Sequence, residues 1–199
     1  CTGCTDPNAI NYNIDAIYNS GCNYDFQIVL NEQTLMTEEY IDLQAQIGEG
    51  ALSISIPINT QFEIDNINTN ILVGINSEPA DQDVVNVGGD NLEFSSELIT
   101  LTPVDLVVDP AIFMNYSYTS NNNDIRSYYD DTIQYDLYKF NSNTEQWEWY
   151  DNCNQGICSA LINNFGIYAV LNTFFPLQLN ESIRTNSIIS NYPNPFNPS

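Results

Sequence analysis

An all-β fold, an antiparallel β-sandwich with a small disulfide-bounded head and an extended Pro-rich tail, is expected from three features of this 199-residue chain. Apolar and polar residues alternate with period 2 in many short runs, which marks half-buried strands. Clusters of Asn, Asp, Gly and Pro separate the runs at roughly 8–12-residue spacing, as in sandwiches. A single stretch, 36–47, offers helical spacing at all, with Glu38 and Glu39 near its start; it reads equally as alternating strand, and its surroundings favour strand.

Taken in order, residues 1–26 form a Cys-bounded head rich in Asn and Tyr, 27–171 carry the strands, and 172–199 are an Asn- and Pro-rich tail. Leu52-Ser53-Ile54-Ser55-Ile56-Pro57-Ile58 is the clearest alternation. Strands are further expected at 71–75 and 98–101, then at 106–108 and 112–118 with Asp109-Pro110 as a break between them. Residues 134–140 and 146–150 read as a hairpin around Asn141-Ser142-Asn143-Thr144, and 159–162 and 166–171 complete the set. Alternation puts Leu101, Phe113, Tyr116, Leu137, Phe140, Trp147, Ile167 and Ala169 in the core.

Charge narrows the function. Lys and Arg total 3 against 26 Asp and Glu, with no His, for a net charge of −23. Abundant Asn and Ile point to AT-rich coding, which ordinarily enriches Lys as well; cations are therefore selected against at this surface. Either solubility in a salty medium or recruitment of divalent cations, Ca²⁺ foremost, accounts for that. Nucleic acid and anionic membrane surfaces are excluded as partners, because nothing neutralises phosphates. No run approaches the roughly 20 apolar residues of a membrane span. No signal peptide is visible, so a secreted protein is expected here in mature form or as a fragment. Five cysteines suggest an oxidising compartment: Cys4 and Cys22 can close one loop, Cys153 and Cys158 a tight one, leaving Cys1 over.

The head segment Gly3-Cys4-Thr5-Asp6-Pro7-Asn8-Ala9-Ile10-Asn11-Tyr12 resembles a short Cys-bounded repeat, G-C-T-D-x-x-A-x-N-Y, of secreted proteins from Bacteroidetes-like bacteria. The resemblance implies a bracketing Cys4–Cys22 pair and, if such repeats bind Ca²⁺ through acidic loops, roles for Asp6 and Asp15; the acidic close of the repeat is replaced by Tyr18-Asn19-Ser20-Gly21-Cys22. The final Asn191-Tyr192-Pro193-Asn194-Pro195-Phe196-Asn197-Pro198-Ser199 resembles the opening of the type A sorting domain of the type IX secretion system, which implies export and surface attachment or release. Residues 99–103, 112–118, 137–140, Trp147 and 164–169 resemble a ZU5-like β-sandwich. Some relatives of that fold cleave themselves at His-Phe-Ser; Asn164-Phe165-Gly166 stands at that position here, without nucleophile or base, so self-cleavage is not expected.

Candidate sites follow. Without His, no Ser-His or Cys-His pair exists, and the chain is expected not to be an enzyme. Asp81, Asp83 and Asp90 around Gly88-Gly89, with Asn86 or Asn91, read either as a solvated acidic loop or as a Ca²⁺ loop. Trp147 and Trp149 share a strand face, either as core and edge residues or as a sugar-stacking platform of Trp149 with Tyr150, Tyr128 and Tyr129. The tail residues Phe174, Phe175, Ile188, Ile189, Tyr192 and Phe196 are too apolar for a free linker and suit docking on the chain's own domain or on a neighbouring copy. Asp131-Thr132-Ile133 resembles a short O-glycosylation acceptor of Bacteroidetes. The function expected is a secreted, cell-surface structural or adhesive module, with copies of itself, other surface proteins or polysaccharide as partners, and self-assembly into a filament or sheath as one form of it. A carbohydrate-binding accessory module of a larger secreted protein is the alternative, and a carboxylate hydrolase a third reading.

Overall fold

The fold described is that of a computed structural model, covering residues 1–63, 69–118, 134–154 and 156–173. It is all-β and antiparallel throughout its main sheet. No described helix is long and apolar enough to cross a membrane. After two short parallel strands of the head, β1 (Thr2–Gly3) and β2 (Tyr18–Asn19), come β3 (Asn23–Val29), β4 (Ile41–Ile47), β5 (Gly50–Ile56), β6 (Gln61–Glu63) and β7 (Asn70–Glu78). Then follow β8 (Val84–Val87), β9 (Asp90–Phe94), β10 (Leu98–Thr102), β11 (Val107–Ser117), β12 (Tyr135–Asn141), β13 (Gln146–Asn154), β14 (Ile157–Asn164) and β15 (Ile167–Thr173).

The strands run in the order β3-β7-β10-β15-β12-β13-β14-β11-β5-β4. This bends into two layers. The first, β3-β7-β10-β15-β12-β13, carries the β8–β9 hairpin on β15; the second is β14-β11-β5-β4 with β6 on β11. The corner between them is narrow, two residue pairs of β13 and β14, and the Cys153–Cys158 disulfide staples it at the directly opposed pair. Between the layers lies one core of Ile54, Ile56, Val73, Ile75, Ile99, Leu101, Ile112, Met114, Leu137, Ile162, Phe165 and Tyr168, among others. Every second residue of β5 is buried, Leu52, Ile54 and Ile56, as its alternation requires. The 36–47 segment is strand from Ile41 onward, with Met36 in an isolated bridge to Gln61.

Two expectations are corrected. Asp109-Pro110 does not break a strand: β11 runs from Val107 to Ser117 through it. Proline cannot donate to a ladder, and it sits where β11 passes from partner β6, at Val107 to Asp109, to partner β5, from Phe113 on. Opposite β14 the register jumps between Val107 and Ile112, so the proline occupies a bulge. Phe113 is not core. It is 42% exposed, because Ile112, Met114 and Tyr116 take the inward positions and period 2 forces Phe113 out. Phe113 and Tyr116, three apart, cannot share a face of a regular strand.

Of the other expected core residues, Leu101, Tyr116 and Leu137 are in the main core, whereas Phe140 and Ile167 are only half-buried and belong to neither apolar cluster. Ala169 belongs instead to a second apolar cluster on the outer side of the first layer, with Leu92 and Leu171 and the half-buried Phe94, Tyr138 and Trp147. Its lid is the β8–β9 hairpin, so β15 is buried on both faces from Tyr168 to Leu171.

The head is part of this body. Cys4, Ala9 and Cys22 are buried in the main core, and the Cys4–Cys22 disulfide is formed. The head seals the seam between the two edge strands. The Tyr24 hydroxyl, on β3, accepts the Gln46 N–H of β4 at 3.0 Å and donates to Asp6 Oδ2 at 2.7 Å. Burial is the larger cause that pushes the Tyr24 phenol up, and the Asp6 carboxylate adds to it. Asn19 donates to Gly48 O at 2.7 Å and accepts from Thr5 N and Thr5 Oγ1. Polar groups at an open edge are thereby occupied.

Candidate functional site

An aromatic strip is the most distinctive surface of the fold. The Asn141 side chain shapes the β12–β13 turn, accepting from Asn143 N at 2.9 Å and Thr144 N at 3.3 Å. That turn sets Phe140 opposite Trp147 and Tyr138 opposite Trp149, with the ladder's bulge beyond both pairs, between Leu137 and Tyr138. Directly opposed residues share a face, so all four aromatics line the outer side of the first layer. Trp147 is wedged edge-on between Phe140, at 5.4 Å and 61°, and Phe94 of the hairpin, at 5.6 Å and 73°. Such edge-to-face geometry suits ring quadrupoles and immobilises the indole. Trp149 continues the strip and is 54% exposed. Burial raises the Tyr138 phenol above its ordinary value, with Asp136 and Asp90 adding to the effect.

Of the platform read from sequence, Trp149 stands in this strip and Tyr150 does not. Tyr150 lies on the opposite face, edge-on to the core residue Tyr168 at 5.6 Å, and donates to Leu161 O at 3.0 Å. Adjacent strand residues point to opposite sides, and the Tyr150 ring is taken by the core. Tyr128 and Tyr129 lie outside the described residues, as do Asp131-Thr132-Ile133 and the tail residues Phe174, Phe175, Ile188, Ile189, Tyr192 and Phe196. Phe94, Tyr138 and Phe140 join the strip without having been assigned to it. Phe140 and Tyr138 were legible, because a four-residue turn fixes the hairpin register; Phe94 was not, because it arrives from a distant hairpin.

The segment around Gly88-Gly89, read from sequence either as a solvated acidic loop or as a Ca²⁺ loop, is the turn of the β8–β9 hairpin. Both glycines have positive φ, 61° and 101°, the demand of a two-residue primed turn. Asp90 pairs with Val87 beside the turn, whereas Asp83 sits at the open end, where its carbonyl accepts from Phe94 N. Four strand residues separate those ends, about 14 Å, too far for one ion. Asn86 and Asn91 hydrogen-bond each other at 3.1 Å. Asp6 is engaged by Tyr24 and by Asn8, whose backbone and side-chain nitrogens donate to Asp6 Oδ1 at 2.9 and 3.0 Å. Asp15 lies at the far end of the head, its N–H bonded to Asn13 Oδ1. Among the described residues no three acidic or Cys side chains are gathered to hold a metal.

The residues of the head motif do structural work. Asn11 accepts from Asn23 N at 2.9 Å and donates to Gly21 O at 2.6 Å, closing the loop that the disulfide brackets. Gly166 is packed closely by the Lys139 side chain. A Cβ there would meet Lys139 Cε at 2.8 Å, and Lys139 Nζ lies 5.5 Å from the Tyr168 ring centroid. Burial lowers the Lys139 ammonium, partly opposed by Asp105 and Glu148.

One cleft, of about 340 Å³, lies between the β4–β5 turn and the segments flanking the β8–β9 hairpin, lined by Glu49, Asp83, Glu93, Glu97, Tyr116 and Tyr118. A hydrolase would place its two acids here. Glu97 is partly committed, accepting from Gly21 N at 3.3 Å. Compared with protein-family models and with curated proteins, the chain matches none.

Proposed function

We propose that the chain is a secreted, non-catalytic module of a cell surface whose work is adhesive, with polysaccharide as the class of ligand. The observation that carries this reading is the strip Phe94-Phe140-Trp147-Tyr138 ending in the half-exposed Trp149. Three of its five rings, Phe94, Phe140 and Trp147, are fixed by edge-to-face packing, so little side-chain entropy is lost there when a flat ligand lies along the strip onto Trp149. Flat apolar faces of sugar rings suit such a surface, and a disulfide-stapled scaffold suits an exposed, oxidising location. The same strip serves the second reading, an accessory module that holds a larger secreted protein on its polysaccharide substrate.

The test is retention on a panel of insoluble neutral and acidic polysaccharides, with W149A as comparison. Retention of the parent on at least one polymer, reduced tenfold or more in W149A at unchanged melting temperature, is expected. Equal retention of the two proteins, or none for either, contradicts the proposal. Antibody labelling of intact producing cells separates the two readings: surface-bound label fits the adhesive module, label confined to the medium fits the accessory one.

A further inference from the structure

We infer that the cleft between the β4–β5 turn and the segments flanking the β8–β9 hairpin is a site for an organic cation, a protonated alkylamine or a guanidinium. Carboxylates abound on this chain, so Glu49, Asp83, Glu93 and Glu97 do not by themselves single the cleft out. Its phenols do. Tyr118 lines the cleft, is only 7% exposed, and its hydroxyl makes no hydrogen bond among the described residues. Buried hydroxyls in native folds are nearly always bonded, so an idle one calls for a reason. Among the described residues the sealed side-chain atom that lacks a partner is Asn172 Oδ1, so the Tyr118 oxygen is not sealed and opens on the cleft it lines. Tyr116 lines the same cleft, and Gly50 keeps its hydroxyl within reach. A Cβ at Gly50 would meet that hydroxyl at 3.0 Å and would also strike Ser117 O. The Tyr118 ring packs on Tyr116 and on Tyr135, with centroids 6.1 and 5.5 Å apart. The rings fix one another, so the hydroxyls are in place before any ligand arrives.

The surroundings select the ligand by charge. In a molecule of net charge −23, a cleft walled by carboxylates focuses the field and draws cations. Lys139, the one Lys or Arg among the described residues, is packed against Gly166 and Tyr168 and does not line the cleft. A bare metal ion fits poorly. No three acidic side chains are gathered about one point among the described residues, and about 340 Å³ is many times the volume of an ion. An ammonium on an alkyl chain, or a planar guanidinium, matches that size. It donates to separated carboxylates and phenol oxygens at once, and the faces of phenol rings attract it further. A neutral sugar would use the hydroxyls but leave desolvated carboxylates without a partner. Two of the acids are held in place: Glu97 accepts from Gly21 N at 3.3 Å, and Glu93 stands in the β9 ladder opposite Asn172. Free amines and the Lys or Arg side chains of a polypeptide carry the same chemistry. Neither the aromatic strip nor a surface location is needed for this site.

The test uses the full chain in solution. Amide NMR signals are followed at fixed ionic strength during titration with diaminobutane, and separately with the N-acetyl methylamides of lysine and arginine. Saturable shifts at roughly millimolar concentration are expected at Glu49, Ser96 and Glu97 and not along β13. Tighter binding of diaminobutane fits a free amine as the ligand; tighter binding of the blocked amino acids fits a basic segment of a polypeptide. Y118F and E93Q, at unchanged melting temperature, should each weaken binding about tenfold. D42N removes one carboxylate as E93Q does, but from a distant part of β4, and should weaken binding less than about twofold. Equal weakening by E93Q and D42N would mean that net charge alone holds the amine, and overturns the inference. So do binding untouched by Y118F, Ca²⁺ that displaces the amine as well as a second amine does, and cleft amides that no probe moves. Binding seen only after R126Q would make the chain's own arginine the occupant, and overturns it likewise.

Discussion

At the residue scale the fold depends on a few polar side chains that bridge distant segments. Tyr24 is the clearest. Its hydroxyl joins the head, through Asp6, to the backbone of the edge strand β4, through Gln46. Y24F is expected to cost about 1–3 kcal/mol, since it leaves a backbone donor and a carboxylate short of a partner. It should also speed hydrogen exchange at the Gln46 amide. Unchanged stability and unchanged exchange would show that water replaces the hydroxyl and that the seam is not sealed there. Asn19 and Asn11 act in the same way within the head. Asn11 stood out in sequence as the N of the head motif, whereas Asn19 was indistinguishable from the other asparagines, because a hydrogen bond to a carbonyl far along the chain leaves no local pattern.

At the element scale the legible features were those that depend on spacing. β5, β10, β14 and the β12–β13 hairpin were written in alternation and turn residues. Both disulfides join the cysteines that their spacing suggested, and Cys1 is exposed and free. What alternation did not reveal were the places where tertiary packing overrides it: the bulge at Pro110, the outward Phe113 and the double burial of β15 beneath the β8–β9 hairpin. A hairpin of Val84 to Phe94 carries too few large residues to stand out, and its turn glycines resembled a cation loop as much as a primed turn. Of the candidate site, Trp149 was legible and Tyr150 misassigned, since the faces of a strand are legible but which face is core is not. The head disulfide also makes a prediction. Closing a loop of this length contributes about 3 kcal/mol in the chain-entropy model, so replacing Cys4 and Cys22 by Ser should lower stability by about that much. Calorimetry would register it; a melting temperature unchanged within a degree would mean that the hydrogen bonds of Asn11 and Asn19 hold the head without the bridge.

At the scale of the whole molecule, charge and buried phenols set the response to solution conditions. Burial raises Tyr116, Tyr118 and Tyr168 well above the ordinary tyrosine value of 10.0. Their contribution to stability is therefore intact below about pH 10, where unfolded tyrosines begin to ionise, and is lost progressively above it. Each fully buried phenol lowers stability by about 1.4 kcal/mol per pH unit in that range. Tyr24, Tyr138 and Tyr150 are raised as well, and Lys139, shifted down, works in the opposite direction as one group against these six. Unfolding by denaturant should show stability flat from pH 7 to 9 and falling steeply from pH 10, less steeply in Y168F. A flat profile to pH 12 would contradict the burial of these hydroxyls. Self-repulsion from the net charge of −23 predicts a higher melting temperature in millimolar Ca²⁺ than in EDTA at matched ionic strength. No difference would mean that the carboxylates are too dispersed to share an ion.

The adhesive reading is tested most directly by the two indole N–H signals in the NMR spectrum of the chain, which contains two tryptophans. Titration with fragments of a polysaccharide that retains the protein should shift the Trp149 indole strongly, the packed Trp147 indole weakly, and the amides of β5 not at all. Binding that leaves both indoles unmoved, or that moves the amides lining the acidic cleft instead, would contradict the aromatic strip as the ligand site.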